Sequence, residues 1–296
     1  MQLLKLATPP STVKNTDPAP GFRDHAGTVA EFFGFSGNPF SDAVNPAYFY
    51  KTATHEEAFL KMMVSVEQDI SLGLVTGTSG TGKTLLTQML LYNLDPACYT
   101  PVVVLVSPGM TKTALLREIL LELDPEFDDS IRQTGDLLRL LHAHIIDLYR
   151  QQKKPVIIID EAHFLCADSL HILRTISNIE IPEKKLVTCL LFSESRLLRR
   201  LQHPSYESLR NRIYLKVGLE TLAENDVRQY IKFRLLVAGT REDVFEQDAF
   251  PLIQAASGGT CRMVNKICHN CLLEAFVQGE HHVSAAVVRK ITAPAK

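Results

Sequence analysis

The feature that most constrains this chain is the run Gly77-Thr-Ser-Gly-Thr-Gly-Lys83-Thr84. It follows an apolar stretch, Leu72–Thr76, that reads as a buried strand. It opens a helix expected over Lys83–Leu94, where Leu85, Met89 and Leu90 fall on one face. A glycine-rich turn between strand and helix lets the backbone curl around phosphate oxygens, with N–H groups pointing inward near the positive helix end. The pattern makes Gly77, Thr78, Ser79, Gly80, Thr81 and Gly82 the cradle. Lys83 would reach the β- and γ-phosphates of ATP, and the Thr84 hydroxyl would take a Mg²⁺ coordination position.

A second stretch completes the chemistry. Val156-Ile-Ile-Ile159 is a short apolar strand that ends in two adjacent acids, Asp160 and Glu161. Open α/β sheets bind ligands at the carboxyl edge of their strands, where these carboxylates would lie. Asp160 is expected to hold Mg²⁺ through its water shell, and Glu161 to polarise the attacking water as general base.

The rest of the chain supplies a setting for that pair. Strands expected at Val102–Val106, Pro155–Ile159, Leu186–Phe192 and Ile213–Val217 are nearly all Val, Ile and Leu. They alternate with helices near 56–69, 113–123, 135–151 and 167–177, which predicts a parallel sheet covered on both faces. After Gly218 only helical patterns remain, at 224–236, 248–256, 261–277 and 284–290. The expected layout is a flexible arm over 1–28, rich in Pro and Gly, then an aromatic clasp over 29–54 that grips the following domain. An α/β core over 55–217 and a small helical lid over 218–296 complete it.

Composition narrows the setting. No apolar run approaches the ~20 residues that span a bilayer, and six cysteines without regular spacing suit a reducing compartment. A cytoplasmic chain without membrane insertion is the expectation. The net charge of −2 divides unevenly: residues 196–296 hold 15 Lys/Arg against 10 Asp/Glu. That permits, without demanding, an anionic partner such as duplex DNA. Cys261, Cys268, His269 and Cys271 suggest zinc. His269, however, projects about 100° away from Cys268 on a helix, so buried thiols are the better reading.

Taken in order, these stretches resemble the AAA+ ATPases of the ExeA, or general secretion pathway A, type, relatives of the MuB- and TniB-like ATPases of transposition. The resemblance is carried by Phe33-Gly-Phe near Asn38-Pro-Phe40, Thr54-His55-Glu56, the phosphate loop and Asp160-Glu161-Ala162-His163. It continues through Leu173-Arg-Thr-Ile-Ser-Asn178, Leu209-Arg-Asn-Arg212 and Gly258-Gly-Thr-Cys-Arg262. It implies a P-loop parallel sheet sandwiched by helices with a helical lid, working as a ring or filament of copies of itself. Ser107 would restrain the catalytic Glu, and Ser193 would sense the γ-phosphate, although Glu194 departs from the family pattern beside it. Arg212, rather than Arg210, would act as an arginine finger on the neighbouring subunit's ATP, and Arg262 as a second sensor within the same subunit. Residues near His55 would border the adenine or simply pack as a helix start. Two uses follow from the resemblance: assembly or remodelling of a protein client, as in secretion or pilus assembly, or polymerisation on DNA with recruitment of a transposase. A third, different class is a nucleotide-dependent scaffold with negligible turnover, against which the intact Lys83–Glu161 set argues.

Overall fold

The computed structural model describes residues 28–43 and 45–294. The expected arm, apart from Thr28, lies outside the described residues. Five parallel strands form the main sheet in the order β2-β3-β6-β1-β7. They are β1 (Leu72–Gly77), β2 (Tyr99–Leu105), β3 (Lys154–Asp160), β6 (Thr188–Ser193) and β7 (Leu215–Leu219). The two-residue strands β4 (Glu180–Ile181) and β5 (Lys184–Lys185) make a separate antiparallel hairpin.

Every residue of β1, β3 and β6 is buried, as a sheet covered on both faces requires. Strand alternation divides the core in two. Leu72, Leu74, Ile157, Ile159 and Leu191 face a cluster built with α4 (Lys112–Leu123), α5 (Thr134–Arg150) and α6 (Ala167–Ile176). Val75, Val156, Ile158, Leu190 and Phe192 face α2 (Ala53–Glu67) and α3 (Lys83–Asn93). Strand β2 begins at Tyr99, earlier than expected, because pairing with β3 starts at Lys154 and runs through Pro101. A proline is tolerated there because β2 lies at the sheet edge.

The carboxyl-terminal region is helical: α9 (Glu224–Val237), α10 (Ala249–Ser257), α11 (Cys261–Gln278) and α12 (Ala285–Thr292). It owns a separate core containing Val227, Ile231, Phe245, Ile253, Cys268 and Cys271. The buried thiols of Cys268 and Cys271 therefore sit as core side chains.

The aromatic segment corrects one expectation. Phe33, Phe35 and Phe40 join the core of the helical region, not that of the sheet. Short α1 (Val29–Phe32) is capped by Thr28 and Glu31, and Phe32 stacks on His281. Ser36 donates through both its amide and its hydroxyl to the Ala238 carbonyl. Phe49 turns toward the α2–α3 side of the sheet. The segment thus belongs mostly to the region farthest from it in sequence. Two short helices, α7 (Ser195–Leu201) and α8 (Glu207–Arg210), fill the stretch between β6 and β7 where no element was expected.

Candidate nucleotide site

The cradle takes its form from two glycines with left-handed backbone. Gly80 has φ +80° and Gly82 has φ +97°, conformations that side-chain-bearing residues rarely adopt. A Cβ on Gly82 would stand 3.1 Å from His55 Nε2, and one on Gly77 would stand 2.6 Å from Thr81 Oγ1. Lys83 opens α3 and is 5% exposed. Its Nζ donates to the carbonyls of Gly77 and Thr78, 3.0 Å each. Burial pushes the ammonium below its ordinary range, while the carboxylates of Glu161, Asp160 and Glu194 oppose that shift.

Parallel pairing brings the acidic edge alongside. Thr84 Oγ1 donates to Asp160 Oδ2 at 3.1 Å. Asp160 is buried, and its other oxygen accepts the Glu161 amide at 2.8 Å. Glu161 has φ +56°, a left-handed conformation that costs a residue with a Cβ about 1–3 kcal/mol. Glu161 lines the same cleft as Ser79–Thr84. A hydroxyl and a carboxylate meeting beside a phosphate cradle offer the hard oxygen donors that Mg²⁺ takes, so the residues present fit that ion.

His55 braces the loop from behind. Its Nε2 donates to the Thr81 carbonyl at 2.8 Å, and its Nδ1 lies 2.6 Å from Thr52 Oγ1. Burial lowers its pKa below 6.5, and the Thr81 bond works the other way. The helical region closes the opposite wall. Arg262 NH1 donates to Ser79 Oγ at 2.9 Å, and the Arg262 amide approaches the Gly80 carbonyl at 3.4 Å. A Cβ on Gly80 would fall 2.7 Å from Arg262 Cβ, so this close approach itself needs the glycine.

The remaining sequence candidates fall elsewhere. Ser193 is fully buried at the end of β6, and its hydroxyl is used by the Glu194 carbonyl at 2.9 Å. Ser107 is exposed and makes no side-chain hydrogen bond to Glu161 among the described residues. Arg210 donates to the carbonyls of Leu201 and Gln202 at the end of α7. Arg212 lies near Glu180. Neither arginine lines the cleft.

Residues that sequence reading missed complete the wall: Tyr48, Tyr50, Tyr230, Arg234 and Asn265. Arg234 is buried in the last turn of α9, where it donates to Pro39 O and Tyr230 Oη and lies 4.7 Å over the Tyr48 ring. Tyr230 Oη in turn donates a hydrogen bond to Asn265 Oδ1 at 2.9 Å, and burial raises its pKa to about 12. The available signal was a lone arginine on the apolar face of α9.

Comparison with known proteins agrees with this geometry. Residues 66–201 match the family described as an AAA domain. The chain is 33% identical over 255 residues to General secretion pathway protein A of Aeromonas hydrophila, aligned over 86% of this chain and 46% of that protein. It therefore spans about half the length of the curated relative it matches. Cdc6p from Pyrobaculum aerophilum superposes with a TM-score of 0.69 at 19% identity, over 86% of this chain and 69% of that one. The Aeropyrum pernix ORC1 protein, solved in complex with DNA, gives 0.65 at 19% identity, over 88% and 69%. These two likenesses show the fold. Residues 66–201 therefore match an AAA domain, and the parallel sheet with its helical carboxyl-terminal region has the P-loop AAA+ fold of these structures. Among its described residues no helix is long and apolar enough to cross a membrane.

Proposed function

We propose that this protein is a Mg²⁺-dependent ATPase that acts in the cytoplasm as a ring or filament, using ATP at its subunit interfaces to assemble or remodel a protein complex of the secretion or pilus kind. One observation carries the hydrolytic reading: Lys83, Thr84, Asp160 and Glu161, far apart in sequence, converge on one glycine-built cradle. The similarity to General secretion pathway protein A supports the choice of client. The division into an α/β core over 55–217 and a lid over 218–296 is part of this proposal, because the separate helical core suits a moving lid.

In this reading the loop amides and Lys83 bind and orient the triphosphate. Thr84 and Asp160 would hold Mg²⁺, which neutralises charge on the phosphate oxygens when bound. The Glu161 carboxylate accepts the proton of the attacking water. Arg262 from the same subunit and Arg212 from a neighbour would offset charge that spreads over the equatorial oxygens. Ser193 keeps its assignment as γ-phosphate sensor only if its hydroxyl leaves the Glu194 carbonyl.

The test is Glu161→Gln. Nucleotide affinity should hold while phosphate release falls about 10²–10⁴-fold; retained hydrolysis would overturn the base assignment. Sedimentation with and without ATP reads self-assembly, and a single species under both conditions would remove the ring or filament. Salt-sensitive, ATP-dependent binding to long duplex DNA would move the client from an envelope complex to a transposition complex. Nucleotide binding without measurable turnover in the unaltered chain would favour the scaffold.

A further inference from the structure

Next to the acidic pair, His163 is built into the site in an unusual way. Its side chain is 1% exposed. Nδ1 lies 3.3 Å from the amide nitrogen of Glu194, the residue that follows β6. A backbone amide can only donate, so Nδ1 carries a lone pair and the proton of the neutral ring sits on Nε2. That Nε2 is buried, has no hydrogen-bond partner of good geometry, and lies 3.3 Å from Glu161 Oε2. The ring is held in place by Phe164, with centroids 4.2 Å apart. Phe164 in turn lies under Arg196, which pairs with Glu194 at 3.2 Å. Burial holds the imidazole below its ordinary range, and the carboxylates of Glu161 and Glu194 oppose that shift.

We propose that His163 is a positioning residue for hydrolysis: Nδ1 is anchored on the Glu194 amide, and the unpartnered Nε2–H, 3.3 Å from Glu161 Oε2, closes a hydrogen bond to that carboxylate when Glu161 turns to its working position, so the general base is registered against the carboxyl end of β6. This rests on the reading of Glu161 as the base. Ligand atoms of Glu161, His163 and Glu194 lie within 4.8 Å of one another, a spacing that would also suit a metal ion. The proton on Nε2 decides between the two, because it makes the ring a donor to the carboxylates and not a ligand beside them. Together with the left-handed backbone of Glu161, the contact defines where the carboxylate can point.

The experiment compares His163→Ala, His163→Gln and His163→Asn in steady-state turnover, nucleotide affinity and thermal midpoint. Glutamine places its amide nitrogen near the position of Nε2, whereas asparagine keeps only an acceptor near Nδ1. The proposal expects alanine to lower kcat about 10- to 100-fold with KM and affinity nearly unchanged, glutamine to recover much of the loss, and asparagine to recover little. Recovery by asparagine in place of glutamine would mean that His163 only anchors β6 and would overturn the proposal, as would an alanine variant as active as the unaltered chain. Should alanine fail to fold, the order of glutamine and asparagine decides. The nitrogen NMR spectrum of the His163 ring tests the tautomer independently of turnover: protonation at Nδ1 overturns the proposal. Glu161→Gln, run alongside, separates the two failures. If it hydrolyses normally the base assignment is lost, whereas if it is inactive and His163→Ala is not, only the present inference is lost.

Discussion

The two walls of the nucleotide cleft are made differently. On the sheet side, Lys83 is buried, Asp160 is buried, and both are held by groups from the same α/β framework. On the helical side, the Arg262 side chain is 62% exposed and meets the loop at Ser79 and Gly80, with Asp42 at 4.0 Å. The helical region itself, however, is fastened by buried Arg234, which joins Pro39 and Tyr48 of the aromatic segment to Tyr230 of its own helix. The contrast teaches that binding chemistry is fixed in advance on one wall, whereas the other is a firmly built body carrying a loosely docked cation. Preorganised charge lowers the cost of reaching the transition state, and a movable cation allows that stabilisation to be gated.

The sharpest way to break this contrast is Lys83→Ala. Removing a charge-assisted donor from a prebuilt cradle should weaken nucleotide binding about 100-fold, close to 2.7 kcal/mol, in a fluorescent-nucleotide titration. An unchanged affinity would mean that the sheet wall is not where binding resides.

Arg234→Ala comes next and concerns stability. It strands the Pro39 carbonyl and removes a partner of Tyr230, a loss of about 2–3 kcal/mol that a urea or thermal melt would register. Arg262→Ala sharpens the comparison from the other direction. An exposed arginine should cost less than about 0.5 kcal/mol of stability, yet turnover should fall about 10-fold with affinity nearly intact. If it melted as early as Arg234→Ala, the distinction between a fastened body and a docked cation would disappear.

The smallest effect expected is in pH. His55 is held below its unfolded value of 6.5 by burial, so the unfolded chain binds the extra proton first. Its contribution is complete above pH 6.5 and declines as pH falls below that value toward the folded pKa. His55→Gln should therefore flatten the acid side of a stability profile measured between pH 7 and 5. A slope unchanged by the substitution would assign the acid sensitivity to other groups.

What could be read from the sequence follows from how local each determinant is. The Gly77–Thr84 turn, the strand ending in Asp160 and Glu161, and the helices of the carboxyl-terminal region all carry their signal within a dozen residues. The meeting of Thr84 with Asp160 followed once the parallel sheet was assumed. The aromatic segment was assigned to the wrong core because Phe33 and Ser36 meet partners about two hundred positions away, and no periodicity records that pairing. Arg234 stands on the apolar face of α9, but the partner that accounts for its burial, the Pro39 carbonyl, lies 195 positions away. Helix α7 was missed because Glu194 follows a strand directly and the helix is short. His163 was visible as a letter in an acidic motif, but its value lies in the Glu194 amide, which only the β6 pairing brings near.

The two carbonyls that grip the Lys83 ammonium have a kinetic consequence. Because the loop already wraps the cation it presents, an incoming triphosphate exchanges partners with a finished receptor and has no receptor to assemble. Capture should then be governed by encounter frequency, with an observed rate that climbs in proportion to nucleotide concentration and shows no early plateau. Any slow phase would belong to the movements of neighbouring subunits or of the helical wall.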